Sequence, residues 1–248
     1  MVQNDDLAGR VALLTGASGG IGGALGRRLI AAGMLVAFTY SAHAAEAERL
    51  VAEARAAGLD ALALAGDLAD PDTPGRLVEQ TTAAFGPIEV LIPNAGYARQ
   101  QAYTEVDLAS WDRTLAVNLR APFLLAQAVL PGMVSRGYGR VLFLSSVAAF
   151  TGGVVGPHYA ASKAGLHGLV HYLAARVARQ GVTVNALAPA LIEQTRMLPA
   201  APDGGPAIPI PVGRYGQPEE VADLAMAVLR NGYLTSQVLG LDGGIYPR

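Results

Sequence analysis

The sequence predicts an α/β fold: a doubly wound parallel sheet of about seven strands with helices on both faces, in a single domain over residues 1–248. Three observations carry this expectation. Short apolar runs alternate with longer amphipathic ones along the chain. The short runs are continuously apolar, as strands covered on both faces require. No break in composition divides the chain, and 248 residues with 52% hydrophobic content can fill one sizeable core.

The elements follow in order. Val11–Leu14 reads as a strand and Ile21–Ala32 as a helix, then Leu35–Thr39 as a strand and Ala44–Ala57 as a helix. Ala61–Ala65 is the third strand, and Asp72–Phe85 is a helix closed by Gly86-Pro87. Ile88–Ile92 is the fourth strand, followed by a long helical region from about Trp111 to Val134. Arg140–Leu144 is a strand, and His158–Gln180 is a helix ended by Gly181. Val182–Leu187, the helix Glu219–Leu229 and the short strand Val238–Leu241 complete the pattern. Residues 191–217, rich in Pro, Gly and Ala, are too long for an ordinary connection and read as a substrate lid.

Composition excludes several classes of function. There is no cysteine, so disulfides, thiolate nucleophiles and cysteine-ligated metals are out. No cluster of His suggests a metal, and none is expected. A net charge of −2 gives no electrostatic case for nucleic acid or an anionic membrane. Met1 to Gly9 is short and polar, unlike a secretory signal, and no apolar stretch reaches the ~20 residues that span a bilayer. The expected location is the cytoplasm. Charged residues make up only 15%, so surface is expected to be hidden in the core or in an oligomer.

Thr15-Gly16-Ala17-Ser18-Gly19-Gly20-Ile21-Gly22 lies between the first strand and the first helix. Glycines there let backbone N–H groups approach a pyrophosphate, and the helix N-terminus favours its charge. The alternative is a tight turn that needs positive φ. The spacing Gly16-x-x-x-Gly20-x-Gly22 resembles the T-G-x-x-x-G-x-G motif of the short-chain dehydrogenase/reductase family. The resemblance implies a Rossmann-like dinucleotide-binding fold. Gly16, Ser18, Gly19, Gly20, Ile21 and Gly22 are then the cofactor contacts of this turn.

Tyr159-Ala160-Ala161-Ser162-Lys163 stands near the start of a helix. Residues four apart share a face. A tyrosine with a pKa near ~10 is a poor base unless a cation stabilises its phenolate. A surface Tyr and Lys is the other reading of the same motif. Ser145 and Ser146 end an apolar strand, where an α/β sheet forms its ligand crevice. Asn118, in Val117-Asn118-Leu119, falls mid-helix, where Asn is a mediocre helix former.

The resemblance gives these residues roles. Ser146 would hold the substrate oxygen, with Ser145 as its structural neighbour, and Tyr159 would exchange the proton. Lys163 would lower the tyrosine pKa and bind the nicotinamide ribose. Asn118 would kink its helix and anchor a water in a proton relay. Asp67-Leu68 resembles the family pair that accepts from the adenine amine. Asn94-Ala95-Gly96 matches the segment lining the adenine ribose, with Pro93 where Asn is usual. Asn185 through Pro189 resembles N-x-x-x-P-G with Ala190 in place of the glycine, and Ile192 falls where backbone meets the carboxamide. The closing stretch Gln237–Gly244 also fits, with Ser236 where a glycine is usual.

The implied cofactor is NADP(H) in preference to NAD(H). NAD-using members commonly carry an acid at the end of the second strand, and this chain has Tyr40 and Ser41 there. The expected cation is also missing, since Gly19 stands where many NADP-dependent members have Arg. The general pattern resembles 3-oxoacyl-[acyl-carrier-protein] reductase-like ketoreductases. The expected function is hydride transfer between NADP(H) and a ketone or secondary alcohol. An NAD-dependent alcohol, diol or sugar dehydrogenase is the alternative, and a non-catalytic dinucleotide-binding regulator is the remote one. An acyl carrier partner is disfavoured, because Ala175 occupies the usual arginine position and Arg176 points elsewhere.

The expected partner is a small, mainly apolar carbonyl or alcohol substrate. Its pocket would be built by Tyr97–Tyr103, Ala148–His158 and the lid, including Phe150, Val154, Val155, Leu191, Met197 and Leu198. Arg99, Glu193 and Arg196 are its candidate charges, and His158 faces either pocket or solvent. A homotetramer or homodimer is the implied assembly.

Overall fold

A computed structural model describes residues 6–195 and 209–246. Seven parallel strands form one sheet in the order β3-β2-β1-β4-β5-β6-β7. They are β1 (Val11–Leu14), β2 (Leu35–Tyr40), β3 (Ala61–Ala65), β4 (Val90–Ile92), β5 (Gly139–Leu144), β6 (Val182–Pro189) and β7 (Val238–Leu241). The helices are α1 (Gly20–Ala31), α2 (Ala44–Ala56), α3 (Thr73–Phe85), α4 (Leu108–Leu115), α5 (Ala121–Arg136), α6 (Ala148–Thr151), α7 (Pro157–Val177) and α8 (Pro218–Leu229). The chain belongs to the α/β class, with helices on both faces of the sheet in a single domain.

Alternation along the strands explains the two layers. Leu14 packs with Leu25 and Leu29 of α1, Leu50 of α2, and Val221 and Ala225 of α8. Its neighbour Leu13 faces the opposite way, toward Leu125 and Met133 of α5 and Leu166 and Val170 of α7. Strand order reverses between β1 and β4, so a crevice opens at their carboxyl ends.

The structure corrects several expected elements. The fourth strand begins at Val90 rather than Ile88, although Ile88 is buried. The region expected as one helix from Trp111 to Val134 is interrupted by a π-helical turn, Ala116–Arg120, between α4 and α5. Such a turn inserts an extra residue and frequently marks a functional site. The helical run Leu108–Arg136 is long and apolar enough to cross a membrane, contrary to the expectation that no stretch was, yet half of its most apolar window is buried in the fold. Its Leu125, Val129 and Met133 serve the core. The short helix α6 was not expected.

Of the expected lid, residues 196–208 lie outside the described residues, and with them Arg196, Met197 and Leu198. Its neck is described. Ile192 pairs with Gly216 as an isolated parallel bridge, fastened by Gly216 N–H donating to Leu191 O at 3.0 Å and Glu193 N–H to Gly216 O at 2.9 Å.

Candidate active site

A cleft of about 500 Å³ runs along the carboxyl edge of the sheet. One end is the glycine turn between β1 and α1. Gly16 has φ +69°, and a Cβ there would sit 2.6 Å from Ala95 Cα. A Cβ on Gly20 would strike the Gln194 carbonyl oxygen, and one on Gly22 the Gly16 carbonyl oxygen. Gly19 differs: its φ is −92°, and an added Cβ would meet only Gly16 O at 3.7 Å. Helix α1 starts without a side-chain cap, so its first-turn N–H groups lack partners within the helix. The glycines keep the space in front of them open, and this cradle fits a pyrophosphate.

The turn is pinned from β4. Asn94 Nδ2 donates to the carbonyls of Thr15 and Gly16, both at 3.0 Å, and Ala95 N–H donates to Thr15 Oγ1 at 3.0 Å. Tyr40 and Ser41 line the cleft beyond β2, as do Asp67 and Leu68 beyond β3, and Pro189 and Ile192 beyond β6. Asp67 Oδ1 accepts from Ala69 N–H at 3.0 Å, and its Oδ2 lies 3.3 Å from the Arg113 guanidinium. That guanidinium lies over the Tyr97 ring, 5.3 Å from its centroid.

The other end gathers Ser146, Tyr159 and Lys163. Tyr159 and Lys163 are four residues apart on α7, and both are buried. The Ser146 and Tyr159 hydroxyls share a hydrogen bond, and Ser146 Oγ also accepts from Ala148 N–H at 3.2 Å. Lys163 Nζ donates to the Leu144 carbonyl at the end of β5 at 2.7 Å, and lies 5.8 Å from the Tyr159 ring centroid. Burial lowers the Lys163 ammonium from an ordinary 10.5 to about 8. Burial also pushes the Tyr159 phenol above its ordinary value, and the Ser146 hydrogen bond pulls it partway back. The lowering expected of Tyr159 is not seen in this cleft, where desolvation outweighs the Ser146 hydrogen bond.

Ser145 does not face a ligand alone. Its Oγ donates to the Lys163 carbonyl at 3.1 Å and lies 2.8 Å from Nε2 of His167.

Asn118 lies away from the cleft surface, fully buried in the π turn. Its Oδ1 accepts from Tyr97 N–H at 2.7 Å, and its Nδ2 donates to Tyr97 O at 2.9 Å and to Ser162 Oγ at 3.1 Å. Both amide hydrogens are used, so the side chain acts here as a brace between Tyr97 and Ser162. Every other residue singled out for cofactor or catalysis lines the cleft.

The expected pocket charges fall elsewhere. Arg99 is exposed and does not line the cleft, and Glu193 accepts from Gln217 Nε2 at 2.9 Å. Phe150 stands behind the wall, whereas Val154, Val155 and Leu191 line it. His158 faces neither pocket nor solvent: it is fully buried, with no hydrogen-bond partner on either ring nitrogen. Ala190 has no left-handed backbone, so alanine replaces the usual glycine without strain. Ser236 does adopt φ +61°.

Sequence reasoning missed Arg113, Val117 and Ile245, which also line the cleft. Arg113 and Val117 are four apart on one helical run, a periodicity that would have placed both on the same face. Ile245 carried no local signal. Among the described residues no group of three or more His, Asp or Glu could hold a metal ion.

Comparison with known proteins agrees with this geometry. Residues 10–204 match the family model described as short chain dehydrogenase. The chain is 37% identical over 244 residues to a 3-oxoacyl-[acyl-carrier-protein] reductase of Synechocystis sp., covering 96% of this chain and 98% of that one. It is 35% identical over 243 residues to an acetoacetyl-CoA reductase of Allochromatium vinosum, covering 96% and 98%. A blue fluorescent protein from a metagenomic library, solved in complex with NADPH, superposes with a TM-score of 0.91 at 37% identity, covering 98% of this chain and 100% of that one. A short chain dehydrogenase of Burkholderia cenocepacia J2315, solved with NADP, gives 0.86 at 35% identity, covering 97% and 99%. With its glycine cradle and its serine, tyrosine and lysine on one cleft, this chain belongs to the short-chain dehydrogenase family, whose members are NAD(P)-dependent oxidoreductases.

Proposed function

We propose that the protein is an NADP(H)-dependent ketoreductase, transferring a hydride between NADP(H) and a ketone or secondary alcohol. The observation that carries this reading is the convergence of Ser146, Tyr159 and Lys163 at one end of a cleft whose other end is the glycine cradle. Two reductases of 3-oxo substrates among its relatives, and structural neighbours solved with NADPH and NADP, support it.

The chain's own residues divide the work. The turn Gly16–Gly22 would hold the pyrophosphate, Tyr40 and Ser41 the adenosine ribose, and Asp67 would accept from the adenine; all of them line the cleft. Asp67 is the one carboxylate lining the cleft among the described residues, and it is paired with Arg113, so nothing at the end of β2 repels a 2′-phosphate. Bound there, the dinucleotide supplies the hydride. Ser146 holds the substrate oxygen by a hydrogen bond. Tyr159 gives its proton to that oxygen as charge builds on it, while the one Ser146 proton stays hydrogen-bonded to the substrate oxygen. Lys163 places a cation beside the Tyr159 ring. Asn118 positions Tyr97 and Ser162 rather than touching substrate.

We infer a small-molecule substrate rather than one presented by an acyl carrier. Arg176 folds back on its own helix, 3.4 Å over the Tyr172 ring, and donates to Tyr172 O. Phe123 on α5 and Tyr172 on α7 are exposed, which supports assembly of two or four copies through these helices. Light scattering would then give a multiple of the 25.5 kDa chain mass.

The test is a panel of ketones followed by nicotinamide absorbance with each cofactor. NADPH consumption with at least roughly tenfold preference in kcat/KM over NADH is expected. Turnover with NADH alone would favour the NAD-dependent dehydrogenase instead. Tight dinucleotide binding without any turnover would favour the regulator.

A further inference from the structure

After β7 the chain makes a compact turn around Asp242. Its Oδ1 accepts from Gly244 N–H at 2.9 Å, its Oδ2 from Tyr246 N–H at 3.3 Å, and its carbonyl from Ile245 N–H at 3.2 Å. The turn splits two successive side chains. Ile245 enters the wall of the cleft. Tyr246 stacks on Phe150 of α6, with ring centroids 5.5 Å apart and planes 7° from parallel. Phe150 in turn lies 4.7 Å from the His167 ring, and His167 is bonded to Ser145, the neighbour of Ser146. A continuous row of contacts therefore ties this terminal turn to the strand end that carries the hydroxyl for the substrate.

The cleft wall near Ser146 is built from small and apolar groups, among them Val147, Ala148, Val154, Val155 and Leu191. Among the described residues only Asp67, Arg113 and Lys163 bring charge to the cleft, and the first two pair with each other beside β3. This end suits a carbonyl flanked by an uncharged, apolar group.

We propose that Ile245 is a specificity-determining residue. Its side chain limits the size of the apolar group beside the reacting carbonyl, and the Tyr246–Phe150–His167 row holds it in position. This rests on the ketoreductase reading. One methylene more or less in an apolar pocket changes discrimination by roughly tenfold or more. Ile245 extends from a surface turn, so its size can change without disturbing the sheet or the residues that move the proton.

The experiment compares wild type with Ile245→Ala, Ile245→Trp and Tyr246→Ala on a homologous series of linear methyl ketones with NADPH. NADPH binding, followed by fluorescence, reports on the fold from the distant end of the cleft. Ile245→Ala is expected to raise the ratio of kcat/KM for the longest to the shortest ketone by roughly tenfold, and Ile245→Trp to lower it by a similar factor. Tyr246→Ala moves the ratio in the same direction as Ile245→Ala, by less. Ile245→Val removes a single methyl and gives a smaller shift of the same sign, which keeps the test available if a larger change unfolds the turn. Ratios within twofold of wild type, in variants that still bind NADPH, overturn the assignment of Ile245 and leave the ketoreductase standing. A wild type that reduces no ketone of the series overturns both.

Discussion

The Asn118 amide grips the backbone of Tyr97 from both sides, accepting from its N–H at 2.7 Å and donating to its carbonyl at 2.9 Å. A third bond reaches Ser162, whose hydroxyl donates to the Tyr159 carbonyl at 2.7 Å. One side chain in a π-helical turn thus ties the loop bearing Tyr97 to the helical turn bearing Tyr159.

Asn118→Ala removes all three bonds and leaves both Tyr97 groups without that partner. Net hydrogen bonds of about 1 kcal/mol each, plus the cost of unmet buried groups, give a loss of about 3 kcal/mol. Urea unfolding should show that loss. At temperatures where the variant is folded, kcat/KM for ketone should fall by roughly tenfold or more, whereas NADPH affinity, set mostly at the glycine turn, should fall less.

Tyr159→Phe keeps the buried ring and removes the proton. Reduction then lacks its general acid, and kcat should fall by about 10²–10⁴-fold. Ser146→Ala should fall within the same range. NADPH titrations on both variants should stay close to wild type. A Phe variant that turns over at the wild-type rate would remove Tyr159 from the chemistry.

Lys163 links activity to stability through pH. Its ammonium deprotonates near 8 in the folded chain and near 10.5 when unfolded. Between those values the unfolded chain binds the extra proton, so stability rises with pH across that window. Below pH 8 the full cost of burying the charge is present, about 3 kcal/mol. Lys163→Met should therefore be more stable than wild type at pH 7, with the gap narrowing as pH approaches 10. Paired urea melts at the two pH values would measure it. The same variant should be nearly inactive.

Gly19 separates the part of the glycine turn that must be glycine from the part that need not be. Its backbone is ordinary and its surroundings leave room, whereas Gly22 is closed in by the Gly16 carbonyl. Gly19→Arg should fold and add a cation beside the cofactor. Its kcat/KM ratio of NADPH to NADH should rise by roughly tenfold, the equivalent of about 1.4 kcal/mol. Gly22→Ala should instead weaken both cofactors together.

Local spacing made much of this architecture legible. The glycine turn, the Tyr159–Lys163 step and the strand end at Ser146 each depend on residues close in sequence. The π turn was only half legible: Asn118 stood out as a poor helix former, but its partners Tyr97 and Ser162 are 21 and 44 residues away. The strand start at Ile88 misled because the residue is apolar and buried without joining the ladder. Four-residue α6 is too short for a periodicity to register. Arg113 depends on Asp67 across 46 residues. Ile245 reaches the cleft only because β7 lies beside β6, a fact of topology.

His158 is the least reconciled group in the structure. It precedes Tyr159, is fully buried, and offers two ring nitrogens that meet no partner. The Oε1 of Gln101 is likewise buried without one. The two residues are neighbours around Gly156: a Cβ there would lie 2.7 Å from the His158 ring and 2.8 Å from the Gln101 carbonyl. A buried polar group without a partner carries a desolvation penalty of about 1–3 kcal/mol, and an apolar group of similar volume does not. His158→Leu should therefore raise the stability of the protein by about 1 kcal/mol after some repacking against Gly156. Its activity should change little, because the imidazole does not line the cleft. Urea unfolding beside a ketone-reduction assay measures both. A variant destabilised by more than its packing change explains would mean that the imidazole is hydrogen-bonded in solution, through a water joining it to Gln101.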